Sequence, residues 1–156
     1  MRIGLLGTLT VHGDAGQQVR IGGHRVRLLL IALAIDAGRV VPAYSLIDRL
    51  WDADPPANAA NALQSAISRL RACLRAGNLG DELIESHPAG YRLAIPPGDV
   101  DAVAFEELAG AGRRALESGD PAAARPLLRE ALAGWRGPAL ADAEGMEFAC
   151  RPRSST

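Results

Sequence analysis

Residues 1–96 predict an α+β domain in which three helices stand between two small antiparallel hairpins, and three features of the chain carry that prediction. Apolar residues recur at helical spacing in three separate runs between His24 and Ala76. Short β-rich runs bounded by glycine or proline flank them, at residues 2–21 and 83–95. Only the turn at 52–56, DADPP, separates the second helix from the third, which is the layout of a helix-turn-helix.

The elements follow in order. RIGLLGTLTV at 2–11 has strand character, HGDAGQQ supplies turn chemistry, and an apolar alternation resumes at 19–21, so the start reads as a hairpin or small meander. Gly22 and Gly23 end it. HRVRLLLIALAIDA at 24–37 then reads as a helix with Val26, Leu29, Leu30, Leu33 and Ala34 inward and Gly38 as its stop. Arg39, Val40 and Val41 form a β-like link. Pro42 can open the next helix at its first position, where a missing N–H costs nothing, and YSLIDRLW at 44–51 places Leu46, Ile47, Leu50 and Trp51 on a core side.

The third helix, residues 58–76, is the one the others present. Leu63, Ile67, Leu70 and Leu74 stack on one side, widened by Ala59, Ala66 and Cys73. Opposite them fall Asn61, Gln64, Ser65, Ser68, Ala72 and Arg75, with Arg69 and Arg71 on the flanks. The stretch contains no acid, whereas a solvated helix usually mixes Glu with Lys or Arg to gain i, i+4 pairs. A face of Asn, Gln, Ser and Arg suits a polyanion, and its small residues let the backbone approach base edges. An amphipathic surface helix that merely lacks acids is the competing account. Residues 83–85 and 91–95, separated by SHPAG, make a hairpin directly after it, in the place of a wing.

A change of pattern at Pro96, Pro97, Gly98 and Asp99 marks a boundary between a domain at 1–96 and a helical region at 97–141. Residues 101–117 and 121–135 read as two helices joined by Ser118-Gly119-Asp120, with Phe105, Leu108, Leu116, Leu127, Leu128, Ala131, Leu132 and Trp135 as apolar contacts. The run GDPAAARPLLREAL from Gly119 resembles the second half of a tetratricopeptide helix pair, so the two read as a tetratricopeptide-like pair, and one such pair cannot bury its own face. Beyond it the helical period fades, and 142–156 reads as a disordered tail.

Composition narrows the function. The net charge is −1, but residues 1–96 carry ten Arg against eight acids and residues 97–156 seven against ten. All seventeen basic residues are Arg, a bias that extends over surfaces with no functional claim. Two distant cysteines, Cys73 and Cys150, fit reduced thiols in the cytoplasm. The longest apolar block, 28–35, is too short to span a bilayer, and the start of the chain lacks a cleavable signal. Nothing points to an enzyme: Gly4 and Gly7 do not form a dinucleotide fingerprint, no phosphate-loop motif occurs, and Glu106 and Glu107 sit side by side where they cannot face each other. His12, His24 and His87 share no ligand spacing with either cysteine, so neither a metal nor another cofactor is expected.

In this order, GGHRVRLLLIALA, SLIDRLW, ISRLR, GYRL and LREALAGWRGPAL resemble the Streptomyces antibiotic regulatory protein family over residues 2 to about 141. The resemblance implies an OmpR/PhoB-type winged helix followed by a bacterial transcriptional activation domain. It also implies an activator that binds direct repeats in promoters of secondary-metabolite genes and contacts RNA polymerase holoenzyme, with a homodimer left open. By position, Gln64, Ser65, Ser68 and Arg69 would face bases and Asn61, Arg71 and Arg75 would touch the phosphate backbone. Arg forks suit guanine or phosphate, Gln suits adenine, and Ser is permissive. Arg69 fits either role, and Ser65 and Ser68 also fit as plain exposed helix residues.

In the wing, His87 and Arg92 fall at the minor-groove positions. Relatives often carry Arg where this chain has His87, so a fixed cation is replaced by one that depends on pH. His87 also fits a simple exposed turn residue, and Tyr91 fits packing of the wing better than base stacking. The family pattern fails after Ala141, which implies a shortened activation domain or one completed by a second subunit, and no receiver domain supplies a phosphoacceptor. The alternative function is a protein-interaction module that binds another regulator or polymerase through the helical pair, with little DNA affinity of its own.

Overall fold

A computed structural model describes residues 1–51 and 54–135, apart from the side chain of Asp81. The expected disordered tail at 142–156, residues 136–141 of the helical region, and Asp52 and Ala53 of the turn lie outside the described residues.

At the N-terminus β1 (Arg2–Gly4) pairs antiparallel with β2 (Thr10–His12), Ile3 standing opposite Val11. The 2–11 run is therefore not one strand. It breaks at Leu5, Leu6 and Gly7, all buried, where Leu5 and Leu6 turn their N–H groups to a side chain from the far end of the chain. Residues 19–21 form no strand either. A single bridge joins His12 to Gln18, and Val19 N donates to the Val11 carbonyl, while Val19 and Ile21 point into the core.

Next, α1 (His24–Ile35) is buried at Val26 and at every position from 28 to 34. A helix apolar on nearly all sides has to be covered on nearly all sides. Both α2 (Ala43–Trp51) and α3 (Ala59–Ala76) pack against it, and buried N-terminal residues such as Ile3, Val11 and Val19 belong to the same core. The helix ends at Asp36, and Gly38, at φ 83°, turns the chain so that its N–H donates to the Leu93 carbonyl. Arg49 of α2 reaches back to Asp36 at 3.2 Å, and Arg25 of α1 bonds the Leu50 carbonyl while lying 5.1 Å from the Trp51 ring centre.

The link at 39–41 becomes a full strand. β3 (Val40–Pro42) is an outer strand of a three-stranded antiparallel sheet completed by β4 (Ile84–His87) and β5 (Gly90–Leu93), in the order β3-β5-β4. Pro42 closes β3 opposite Gly90, and α2 begins one residue later than expected, at Ala43. Strand edges tolerate proline because its nitrogen has no ladder bond to make. Gly90 is required there: a Cβ would lie 2.0 Å from the Val41 carbonyl oxygen.

The helical appendage is α4 (Asp101–Glu117) and α5 (Pro121–Ala133), the latter capped by Asp120, whose carboxylate accepts from Ala123 N. They meet closely at buried Gly112, where a Cβ would lie 2.7 Å from Leu128. Not all the expected contacts form among the described residues: Leu116 is 51% exposed and Leu132 66%. Trp135, just past α5, stacks edge-to-face on Phe105 at 5.3 Å.

The boundary at 96–99 is tied down. Val100 is fully buried and bridges Ile3 in parallel, Val103 joins the main core, and the Asp101 carboxylate accepts from Leu5 N at 2.5 Å and Leu6 N at 3.2 Å. One side chain thus satisfies two backbone donors of buried residues. Asp101→Ala should lower the free energy of unfolding by about 2 kcal/mol, the scale for orphaned buried donors, measured by urea denaturation.

Candidate nucleic-acid interface

The rotation of α3 is set by Leu63, Ile67, Leu70 and Leu74, each 2% exposed or less, with Ala66 beside them. Asn58 caps the first turn by accepting from Asn61 N at 3.3 Å. At the other end Asn78, at φ 62°, turns the chain so that Leu79 N reaches the Leu74 carbonyl. Gly77 lies so close to Val19 that a Cβ would meet it at 2.6 Å, and Gln17 Nε2 donates to its carbonyl. Both ends are held, so the outward residues have a fixed direction.

Those outward residues are Asn61, Gln64, Ser65, Ser68, Arg69 and Arg75, all exposed. Arg69 makes no bond within the described residues, and the four residues expected to face bases form one continuous polar ridge. Arg71 has a different placement. It is half-buried, and its Nη2 donates to the Ile84 carbonyl at 2.6 Å and to Ser86 Oγ at 3.0 Å. The residue expected on the phosphate backbone is first a brace between α3 and the wing strand β4. Its place on the flank of the helix brings it to the hairpin rather than to the crest.

In the wing the register pairs Glu85 with Arg92 and His87 with Gly90. Ile84 and Leu93 are buried against the core, and Tyr91 packs against it, so Glu85, His87 and Arg92 share the opposite, outer face. Glu85 stands between the two cations, 2.9 Å from Arg92 and 3.3 Å from His87. The hydrogen bond from Arg92 holds the Glu85 carboxyl below the usual range, against an opposing desolvation and with a smaller contribution from His87. Neither expected minor-groove cation is unaccompanied.

Glu85 is the wing residue that the sequence reading passed over. The signal was available, since an acid five residues before Gly90 in a tight hairpin must face the Arg two residues after it. Tyr44 was also read only as a helix start, yet it is 71% exposed. Two residues before it, Pro42 pairs with Gly90, which on its other side faces His87, and this puts the first turn of α2 at the wing-tip end of the sheet. Among the described residues no cluster of His, Cys, Asp and Glu could hold a metal, and no helix is long and apolar enough to cross a membrane.

Three helices with an acid-free outward ridge, flanked by a hairpin wing, define a winged helix-turn-helix of the kind found in transcriptional regulators. Residues 16–93 match the family model described as transcriptional regulatory protein, C terminal, and residues 100–155 match the bacterial transcriptional activator domain. The chain is 38% identical to the regulatory protein DnrI of Streptomyces peucetius, over 96% of its own length and 58% of the relative's. It is 41% identical to the transcriptional regulator RedD of Streptomyces coelicolor, over 92% of its length and 41% of the relative's. A solved structure of Mycobacterium tuberculosis EmbR, in complex with a low-affinity phosphopeptide, superposes with a TM-score of 0.82 at 34% identity, covering 95% of this chain and 39% of that one. The chain belongs to the Streptomyces antibiotic regulatory protein family, and it spans about three fifths or less of the length of these relatives.

One outcome follows from this geometry. Arg71→Ala removes both bonds between α3 and β4 and should lower stability by about 1 kcal/mol in urea denaturation, with faster amide exchange confined to β4 and β5.

Proposed function

We propose that this chain is a cytoplasmic, sequence-specific DNA-binding regulator that lays α3 in the major groove and its wing in the adjacent minor groove. The observation that carries the reading is the outward ridge of α3: Gln64, Ser65, Ser68 and Arg69 stand exposed on a helix without a carboxylate, held in direction by four buried aliphatic side chains. Gln64 and Arg69 are the residues able to make bidentate contacts with base edges, and Ser65 and Ser68 allow close approach. Asn61 and Arg75 extend the ridge toward the phosphates, Tyr44 offers a hydroxyl at the wing-tip end, and Arg71 combines its brace with whatever charge it presents to the backbone. By kinship with regulators such as DnrI and RedD, we read the sites as direct repeats in promoters of secondary-metabolite genes and the outcome as activation through RNA polymerase holoenzyme.

One observation favours a second reading. Leu116, Leu132 and Trp135 leave an apolar surface on the helical pair, which fits a module that docks on another regulator, on polymerase or on a second copy. A mobility-shift titration on upstream DNA containing direct repeats, run across a salt series, separates the two. Binding by the ridge and wing gives a steep loss of affinity with salt. Arg69→Ala should then weaken binding about tenfold or more and relax sequence preference at one position, the scale of a lost bidentate contact. Arg75→Ala should weaken all duplexes alike and reduce the salt slope by about 0.9. An absent or salt-insensitive shift favours the docking module.

A further inference from the structure

We propose that Glu85 is an internal competitor for DNA: it occupies the cationic outer face of the wing, and its charge sets how strongly Arg92 and His87 engage a minor groove. The inference rests on the DNA-binding reading above.

The argument starts from register. Glu85 and Arg92 are directly opposed on β4 and β5, and His87 lies two residues along β4, on the same outer face. All three are about one-third exposed, 34% for Glu85 and 37% for each partner. The carboxylate is therefore solvent-facing and would also face any polyanion that approached the wing. With His87 neutral the cluster carries no net charge, and with His87 protonated it carries one positive charge. A wing whose cation is already neutralised gains little from phosphate, since the groove must displace a carboxylate that belongs to the same hairpin and pairs with Arg92 at 2.9 Å.

Arg92 adds an independent sign that its present arrangement is incomplete. Its Nη2 is committed to Glu85, while its Nε is buried with no acceptor among the described residues. The buried Nε stays on the protein side, and it is the exposed part of the guanidinium that a minor groove, with its base-edge acceptors and negative potential, would engage. On the inner side of the same hairpin Arg71 fixes β4 to α3, so the outer face cannot turn away without breaking that brace. Glu85 is thus placed to act as a determinant of affinity, not of folding.

The test compares the full chain with Glu85→Gln by fluorescence anisotropy on the same upstream duplex, across a salt series at constant pH. Glutamine keeps the shape and a hydrogen-bond acceptor for Arg92 but removes the charge. Affinity at low salt should rise about fivefold, the effect of one unit charge at close range in water, and the salt slope should steepen by up to about 0.9. Glu117→Gln, on the exposed end of α4, removes the same charge far from the wing and should leave affinity unchanged. Adding Arg92→Gln to the Glu85→Gln variant should abolish the gain. If the unaltered chain binds DNA with a salt slope but Glu85→Gln matches it, or if Glu117→Gln tightens binding as much, the role of Glu85 falls and the DNA-binding reading stands. If none of the variants nor the unaltered chain binds DNA, both fall.

Discussion

The constraint on which this structure depends is the burial of one side of α3. Four large aliphatic side chains enter the core there, each stabilising by roughly 1.5–3 kcal/mol relative to exposure. Turning the helix by one residue would expose part of that set, at a cost comparable to much of the stability of a small domain. The helix therefore has one rotation, and the polar ridge has one direction. Caps at Asn58 and Asn78, and the tight approach of Gly77 to Val19, fix its position along the axis as well.

From that fixed helix the remaining geometry propagates outward through a few polar bonds. Arg71 carries the position of α3 to β4, register carries β4 to β5, and Gly90 lets β5 approach β3 closely enough to make a third strand. The wing is consequently an extension of the core rather than a loose arm. Its outer face has a separate electrostatic logic, in which an acid is paired with the two cations that the family likeness assigns to DNA. Rigidity and charge are thus set on opposite faces of one hairpin.

The helical pair is joined to this body through its first turn. Val100, Val103 and Asp101 commit its first turn to the N-terminal strands, while Leu116, Leu132 and Trp135 remain accessible. The pair thereby carries its apolar side chains on a frame that is anchored to the same core as α3.

Helical and strand periods, turn residues and the acid-free stretch at 58–76 were enough to determine the order of elements, the inward residues of α3 and the side on which Gln64, Ser68 and Arg69 stand. These are local properties, because a 3.6-residue period assigns faces before any partner is known. The reading failed where a long-range bond decided the outcome. The 2–11 run broke because Asp101, far along the chain, claims the N–H groups of Leu5 and Leu6; residues 39–41 became a strand because β5 lay beside them. Likewise only tertiary structure made Arg71 a brace and gave Arg92 and His87 an acidic partner, since the partner of a charged side chain is chosen by proximity in space and leaves no period in the sequence.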